Sequence, residues 1–303
     1  MRLRYQVDRL ERLPALDGLA GVLDAFWTRV LPRGGRARDA LHGTWLGHPL
    51  HPALTDVAIG CWLGAGVLDA TGGNATAARR LVGAGVLAAV PTAVTGAADW
   101  TSLGEFERPK RLGAVHAVAN GTATALYAAS WLARRNGRHA KGRALALTAA
   151  AAASAGGYLG GHLAYRNAVG ADRNADLTPA EEWTDLGSLR DLPMRRPVRR
   201  TVAGDDVVVY RIGSTVRVIG ATCGHLGGPL DEGTVTEDEC VTCPWHGSTY
   251  DLRDGSVVHG PSTHPQPAYD VRVVGRTVQV RRRREDGRED GEVAPVTGGV
   301  ATR

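Results

Sequence analysis

Charge vanishes from the first half of this chain in blocks. Residues 81–98, 112–133 and 144–165 contain no Asp, Glu, Lys or Arg, and residues 41–68 contain only Asp56. A helix needs about 20 apolar residues to cross roughly 30 Å of hydrocarbon, and each block is close to that length. A soluble helix keeps a charged face toward water, whereas three of these blocks have none over about five turns. The pattern predicts four membrane spans. A soluble bundle of Ala-rich helices is the alternative, because the blocks are poor in Leu, Ile and Phe. Small residues four apart, Gly60 with Gly64 and Gly156 with Gly160, would let helix backbones approach closely where no water drives association.

Ahead of the first span, Leu13, Leu16, Leu19, Leu23, Phe26, Trp27 and Val30 recur at helical spacing beside Arg9, Arg12, Arg29 and Arg33. Residues 1–40 therefore read as an amphipathic segment that lies on a membrane surface or packs on the protein itself. The N-terminus has no short apolar core followed by a cleavage site and no twin-arginine motif, so no export signal is expected. The spans occupy 41–166. Residues 167–194 are polar, carry proline and many charges, and read as a linker. From 195 to 282 the grammar changes to short β-branched runs. "VVVYRIG" and "TVRVIGA" are joined by a Gly-Ser turn, and "ECVTC", "STYDL", "AYDVRVV" and "TVQVRR" follow. The tail, 283–303, is charged and then small and polar, and is expected to be disordered. The predicted fold class is thus a membrane α-helical bundle of four transmembrane helices followed by a small all-β domain.

Pooled composition conceals this division. At 303 residues, 43% hydrophobic and 22% charged, with mean hydropathy −0.16, the average resembles an ordinary soluble protein. The chain is basic, with net charge +5 and pI about 9.3. Its arginines cluster at span ends and in linkers, which fits anionic lipid head groups rather than a nucleic-acid groove. Four spans put both termini on one side. Arg33, Arg36, Arg38, Arg108, Lys110, Arg111, Arg166 and Arg173 lie near that side. Arg79, Arg80, Arg134, Arg135, Arg138, Lys141 and Arg143 lie opposite. Eight against seven leaves the orientation undecided by the positive-inside rule.

The candidate chemistry sits at the far end. Of four cysteines, Cys61 lies in the first span, and Cys223, Cys240 and Cys243 lie in the β domain. Cys223-x-His225 and Cys243-x-x-His246 are separated by seventeen residues, and glycine or proline borders both. Each pair fits one tight loop presenting thiolate and imidazole to a common point. Zinc accepts such a set, as Cys2His2 or as Cys3His with Cys240. A disulfide would leave the histidines without a role. A [2Fe-2S] cluster with cysteines on one iron and histidines on the other is the third reading.

These two loops, with Gly247 and the "YDLRDG…GP" stretch after them, resemble a Rieske [2Fe-2S] domain over about 90 residues. The resemblance implies that Cys223 and Cys243 hold one iron and His225 and His246 the other. Two thiolates leave the oxidised site neutral, whereas four would leave it doubly negative, so an electron enters more easily. Potentials of roughly −150 to +300 mV are expected, against about −400 mV for plant-type ferredoxins. Imidazoles on ferric iron become more acidic, which couples the electron to a proton. Ser248 and Tyr250 match the positions whose hydroxyls raise the potential in respiratory members. The disulfide of those members would need cysteines where Gly227 and Trp245 stand, so a middling potential is expected. Cys240 reads as a buried strand residue. The absent bridge and this free thiol favour the cytoplasm for the domain.

The membrane half carries His48, His51, His116 and His162, all on the side of the β domain if the spans alternate, together with Asp56, Asp99 and Trp100. Ionisable groups at or within a bilayer are candidate functional sites. They would form a quinone pocket or a haem or metal site, or else hydrogen-bonded histidines that hold loop geometry. "GHPLHP" and "GGHLAY" resemble a four-helix bacterial membrane domain of unknown function that sometimes precedes a Rieske domain. The expected function is a one-electron carrier anchored in the bacterial cell membrane, a multi-pass protein whose partners are the bilayer and a redox protein or quinol. A Rieske component of an oxygenase or reductase system, or a cluster-based redox sensor, is the alternative. No 2-His-1-carboxylate iron domain is evident, so the chain alone is not expected to be the oxygenase.

Overall fold

The computed structural model describes residues 2–177 and 181–283; the expectation for most of the tail falls outside them. Seven α-helices come first among the described residues. They are α1 (Arg2–Glu11), α2 (Asp17–Val30), α3 (Gly35–His42), α4 (Leu50–Ala70), α5 (Ala75–Thr101), α6 (Glu107–Arg135) and α7 (His139–Tyr165). Breaks come where the backbone needs them: Gly43 closes α3 with φ +85, and the Asn74 side chain caps α5 by accepting from the Thr76 and Ala77 amides at 2.9 and 3.0 Å. The first charge-free block, 41–68, is therefore not one helix, because Gly43, Gly47 and Pro49 interrupt it before α4 begins.

Helices α4 to α7 form a bundle in which each packs on the next and α7 returns to α4. Its interior is built from small residues, Ala58, Ala65, Ala89 and Ala149, filled out by Val82 and by Trp62 stacked on Tyr127 at 4.2 Å. The larger aliphatic side chains point outward: Leu63 is 64% exposed, and Leu87 and Leu147 are each 75% exposed. Of the four expected spans, α4 and α5 are long and apolar enough to cross a membrane by length and composition, with mean hydropathy 1.3 and 1.7. Helices α6 and α7 have the length, but Ala, Gly, Thr and Ser replace the larger aliphatics and lower their hydropathy. Of the expected small-residue contacts, Gly64 meets Leu81 of α5, while Gly156 and Gly160 make room for Asn120 and His116. Gly60 faces open space.

The N-terminal segment packs in part on the protein itself. Val7 packs against Leu112 and Leu159, and Trp27 packs with Leu31, Ala97 and Ala98. Leu19, Val22, Phe26 and Val30 form an exposed stripe on the other face of α2.

The β half comprises β1 (Thr184–Ser188), β2 (Val198–Val202), β3 (Asp205–Ile212), β4 (Thr215–Gly220), β5 (Thr234–Val235), β6 (Cys240–Thr242), β7 (Thr249–Asp251), β8 (Val257–His259), β9 (Tyr269–Val274) and β10 (Thr277–Arg282). Three antiparallel sheets result, in the orders β1-β10-β9, β2-β3-β4 and β5-β6-β7-β8. Successive residues of β3 serve two cores: Val207 and Val209 join Val218, Tyr269 and Val278, whereas Val208 and Tyr210 join Ile219, Leu230 and Tyr250. A strand covered on both faces reads as a continuous apolar run, which is why "VVVY" does not alternate. One correction concerns the stretch read as linker. Residues 184–188 form β1 on β10, and Leu186, Leu189 and Leu192 enter the core, because their spacing is hidden among charged neighbours.

At the far end of the bundle the Arg134 side chain is almost wholly buried and paired with both oxygens of Asp69, with Ser130 on its Nε at 3.2 Å. Removing one partner of a buried pair strands the other charge, at a cost of about 3–5 kcal/mol. Asp69→Ala is expected to lower unfolding stability by that order, read as a reduced thermal midpoint of the detergent-purified protein.

Candidate metal centre

The two Cys-His loops are built alike. The Cys223 amide donates to the Gly228 carbonyl at 2.8 Å and the Cys243 amide to the Ser248 carbonyl at 2.8 Å. Each cysteine carbonyl then accepts from a glycine amide, Gly227 at 2.9 Å and Gly247 at 3.1 Å. Both glycines have positive φ, +84 and +81, where an L side chain is strained. Loop packs on loop so closely that a Cβ at Gly228 would lie 2.6 Å from Cys243 Sγ. The loops precede β5 and join β6 to β7, so the sheet brings them together over the Ile219, Leu230 and Tyr250 core.

Both sulfurs are buried and face each other. Cys223 Sγ is also bonded by the Tyr250 hydroxyl at 3.2 Å, the Ser248 hydroxyl and the His225 amide, and Cys243 Sγ by the Trp245 and His246 amides. The Cys243 thiol, bonded to Cys223, is the main reason the Cys223 thiol is pulled down to about 6, and the same contact pushes Cys243 up. The shared contact thus favours the thiolate form at Cys223 over Cys243. The two imidazoles stand edge to face with centres 5.1 Å apart. His225 is held down to about 3, first by burial and then by the charges of His246, His42 and Arg173. Its buried Nδ1 has no hydrogen-bond partner among the described residues. Two sulfurs bathed in N–H and O–H donors, beside a neutral imidazole with an orphaned ring nitrogen, suit a metal centre with two sulfur and two nitrogen ligands.

The residues beside the loops take different places. Ser248 and Tyr250 both reach Cys223, and Ser248 Oγ also accepts from the Ser262 amide at 3.0 Å. All four cysteines are free; Gly227 and Trp245 form no bridge. Cys240 lies buried in β6, its thiol raised by burial and directed to the Asp238 carbonyl at 3.7 Å.

Tertiary structure adds partners that neither loop announces. The His246 ring is bonded to the Leu103 carbonyl between α5 and α6, its Nε2 edge lies against Gly104, and Phe106 sits 5.8 Å from His246 and 5.8 Å from Trp245. Asp39 of α3 accepts from the His259 ring and the Gly260 amide, each at 2.9 Å. His42, buried at the end of α3, bonds Asp99 at 2.8 Å and accepts from Arg38 at 3.0 Å. No local motif marks these residues, because their role comes from the β half resting on the helical half.

The four membrane histidines part company. His51 and His116 come together, with ring centres 6.2 Å apart. His48 is exposed and contacts the Pro49 carbonyl at 3.1 Å. His162 faces Glu11 at 3.0 Å and Asp8 at 4.0 Å. Asp56 is exposed.

Residues 182–274 match the family model of the Rieske [2Fe-2S] domain, and residues 47–173 match the family described as "Predicted membrane protein (DUF2231)". Over 99 residues the chain is 34% identical to the anthranilate 1,2-dioxygenase ferredoxin subunit of Burkholderia cepacia, covering 33% of this chain and 91% of that protein. It is 38% identical over 73 residues to flavonoid 8-hydroxylase 2, chloroplastic, of Ocimum basilicum, covering 23% of this chain and only 14% of that protein. Among solved structures, the ferredoxin of carbazole 1,9a-dioxygenase from Nocardioides aromaticivorans IC177 aligns at 32% identity and TM-score 0.32, over 33% of this chain and 98% of that one.

Two expectations follow for the site. A donor to a ligand sulfur favours the more negative, reduced state. A hydrogen bond of roughly 0.5–1.5 kcal/mol converts, at about 59 mV per tenfold in a one-electron couple, to about 20–60 mV. Tyr250→Phe is expected to lower the potential by that amount in an EPR-monitored titration. In the metal-free protein the folded state holds His225 neutral from its ordinary 6.5 down to about 3, so the unfolded state binds more protons across that window. His225's contribution is therefore full above about 6.5 and shrinks as pH falls toward 3. Chelator-treated protein is expected to melt lower at pH 5 than at pH 7.5, with the difference reduced in His225→Asn.

Proposed function

Because the chain belongs to the Rieske [2Fe-2S] family through residues 182–274, joined to a predicted membrane domain at 47–173, we propose that it is a membrane-anchored one-electron carrier. Cys223 and Cys243 hold one iron of the cluster and His225 and His246 hold the other. When bound, such a cluster takes up and releases a single electron, at a potential raised by its histidine ligation. The chain's own residues do the rest. Tyr250 and Ser248 donate toward Cys223, the loop amides donate to both sulfurs, and burial keeps His225 uncharged and ready to ligate.

The observation that carries this reading is the seat of His246. Its outer nitrogen edge meets the Leu103 carbonyl and Gly104 of the helical half, so the helical half is in direct contact with a ring that would hold the cluster. Helices α4 to α7 cross the bacterial cell membrane, supported by the outward Leu63, Val67, Leu87, Val90, Val118, Leu132 and Leu147 on all four. The exposed stripe of α2 lies on the surface of the bilayer, and the β half faces the cytoplasm, consistent with its free thiols. The donor is a quinol or a redox centre of the membrane half, and the acceptor is a redox protein.

A second reading is a ferredoxin-like component of an oxygenase or reductase system. It is favoured by the likeness to a dioxygenase ferredoxin subunit and by the half-exposed Trp245 beside His246, a surface on which a soluble partner can dock.

Membrane vesicles containing the protein separate the two. Added quinol is expected to reduce the cluster, read as the appearance of the EPR signal of the reduced state. Failure with quinol, alongside rapid reduction by a soluble reductase, would establish the second reading instead. Cys243→Ser and His225→Ala are each expected to abolish the signal, and an intact signal in either would refute the ligand assignment.

A further inference from the structure

The structure assigns a second cofactor site to the helical half: a haem held between His51 and His116, an inference that rests on the membrane-carrier reading above. The two imidazoles come from α4 and α6, which lie diagonally across the bundle. Each is oriented by the helix that follows it, and by the same device. His51 Nδ1 bonds the Thr92 carbonyl of α5 at 2.9 Å, and a Cβ at Gly96, one turn on, would lie 2.7 Å from its ring. His116 Nδ1 bonds the Gly156 carbonyl of α7 at 2.8 Å, and a Cβ at Gly160, one turn on, would lie 3.0 Å from its ring. Gly96 and Gly160 are the small residues that admit the rings.

A carbonyl bound to one ring nitrogen places the proton there and leaves Nε2 as the acceptor, which is how proteins orient metal-ligating histidines; at His116 the Asn120 side-chain nitrogen lies 3.2 Å from that Nε2. In both rings the Nδ1/Cε1 edge lies against the following helix, so Nε2 is the ring nitrogen left off the carbonyl contact. The centres are 6.2 Å apart with planes at 77°. A nitrogen ligand lies about 2.0–2.1 Å from its metal, and the ring centre lies roughly 1.1 Å behind it, so two imidazoles on opposite sides of one ion have centres roughly 6.3 Å apart. The observed spacing is that of a shared metal ion.

Its class follows from what is missing around it. Among the described residues no third His, Cys, Asp or Glu gathers with this pair; the grouping of that kind is Asp8, Glu11 and His162 at the α1–α7 contact. Asn120 lies over the His116 ring, 3.3 and 3.2 Å from its two nitrogens, and is a poor ligand. A bare divalent ion takes three or four protein ligands. Two opposed imidazoles alone suit an ion whose other four positions are already filled, as in an iron porphyrin. With both axial positions occupied, such a centre transfers electrons rather than binding oxygen. Leu103, whose carbonyl holds His246, lies just past the end of α5, the helix that carries Gly96 and Thr92. One electron passed between the two centres raises one iron by a unit of charge and lowers the other, and requires no further reactant.

The test uses the full-length protein, purified in detergent from haem-replete cells. A Soret band and about one haem per chain by pyridine haemochromogen are expected. His51→Ala and His116→Ala are each expected to lose the band while keeping the cluster's EPR signal, which reports folding. If either variant fails to fold, haemin titrated into the wild-type protein supplies the second measurement, with saturation near one equivalent expected. Wild-type protein with a full cluster, no Soret band and no saturable haemin binding would overturn the haem site while leaving the carrier reading intact. A bare metal ion in its place, seen as stoichiometric copper, zinc or extra iron without a Soret band, would overturn it equally. Loss of the cluster signal in wild-type protein would instead count against the carrier reading itself.

Discussion

Two loops whose cysteines stand twenty positions apart must deliver both sulfurs to one dry point, and the β half is organised around that demand. A buried thiolate is costly unless donors surround it. The donors come from loop amides, from Ser248 at the end of one loop and from Tyr250 one strand deeper. Tyr250 is itself wholly buried in the core that β4 and β6 build, so the packing of that core sets the position of the hydroxyl on Cys223. Positive-φ glycines let both loops reverse, and Gly228 lets them touch. Stability and electronic tuning are thus properties of the same contacts.

The helical half meets a different constraint. Its interior is built of alanine, glycine and valine while leucines face outward. That inversion suits a surrounding that is itself apolar, where close backbone packing replaces the hydrophobic drive. Tight packing of small residues leaves little room for large side chains inside. The histidines that do enter, His51 and His116, are admitted opposite glycines and bonded to carbonyls.

The halves meet through a few directed contacts. Asp39 receives two N–H groups from the β half, and the Leu103 carbonyl receives the ring of His246. Beneath them, Arg38, His42 and Asp99 form a connected polar group at the mouth of the bundle. Held by the Leu103 carbonyl, the His246 ring has its orientation set by the other half of the molecule.

Local pattern was enough for the elements and for the ligand loops. Charge-free blocks mark the long helices because α4 to α7 omit charge along most of their length. The Cys-x-His and Cys-x-x-His spacings are legible because each loop is a local turn whose geometry depends on its own glycines. The strands of the β half are legible for the same reason, except β1, whose leucines are interspersed with charge. Tertiary structure decided everything that depends on distance in space rather than along the chain. It separated four histidines that looked equivalent, bringing His51 to His116 and sending His162 to Glu11. It also turned Asp39, His42 and Leu103 into partners of a domain more than a hundred residues away. A one-dimensional pattern records periodicity and turn chemistry, but which helices face each other across a bundle, and where one domain rests on another, follow only from the packing of the folded chain.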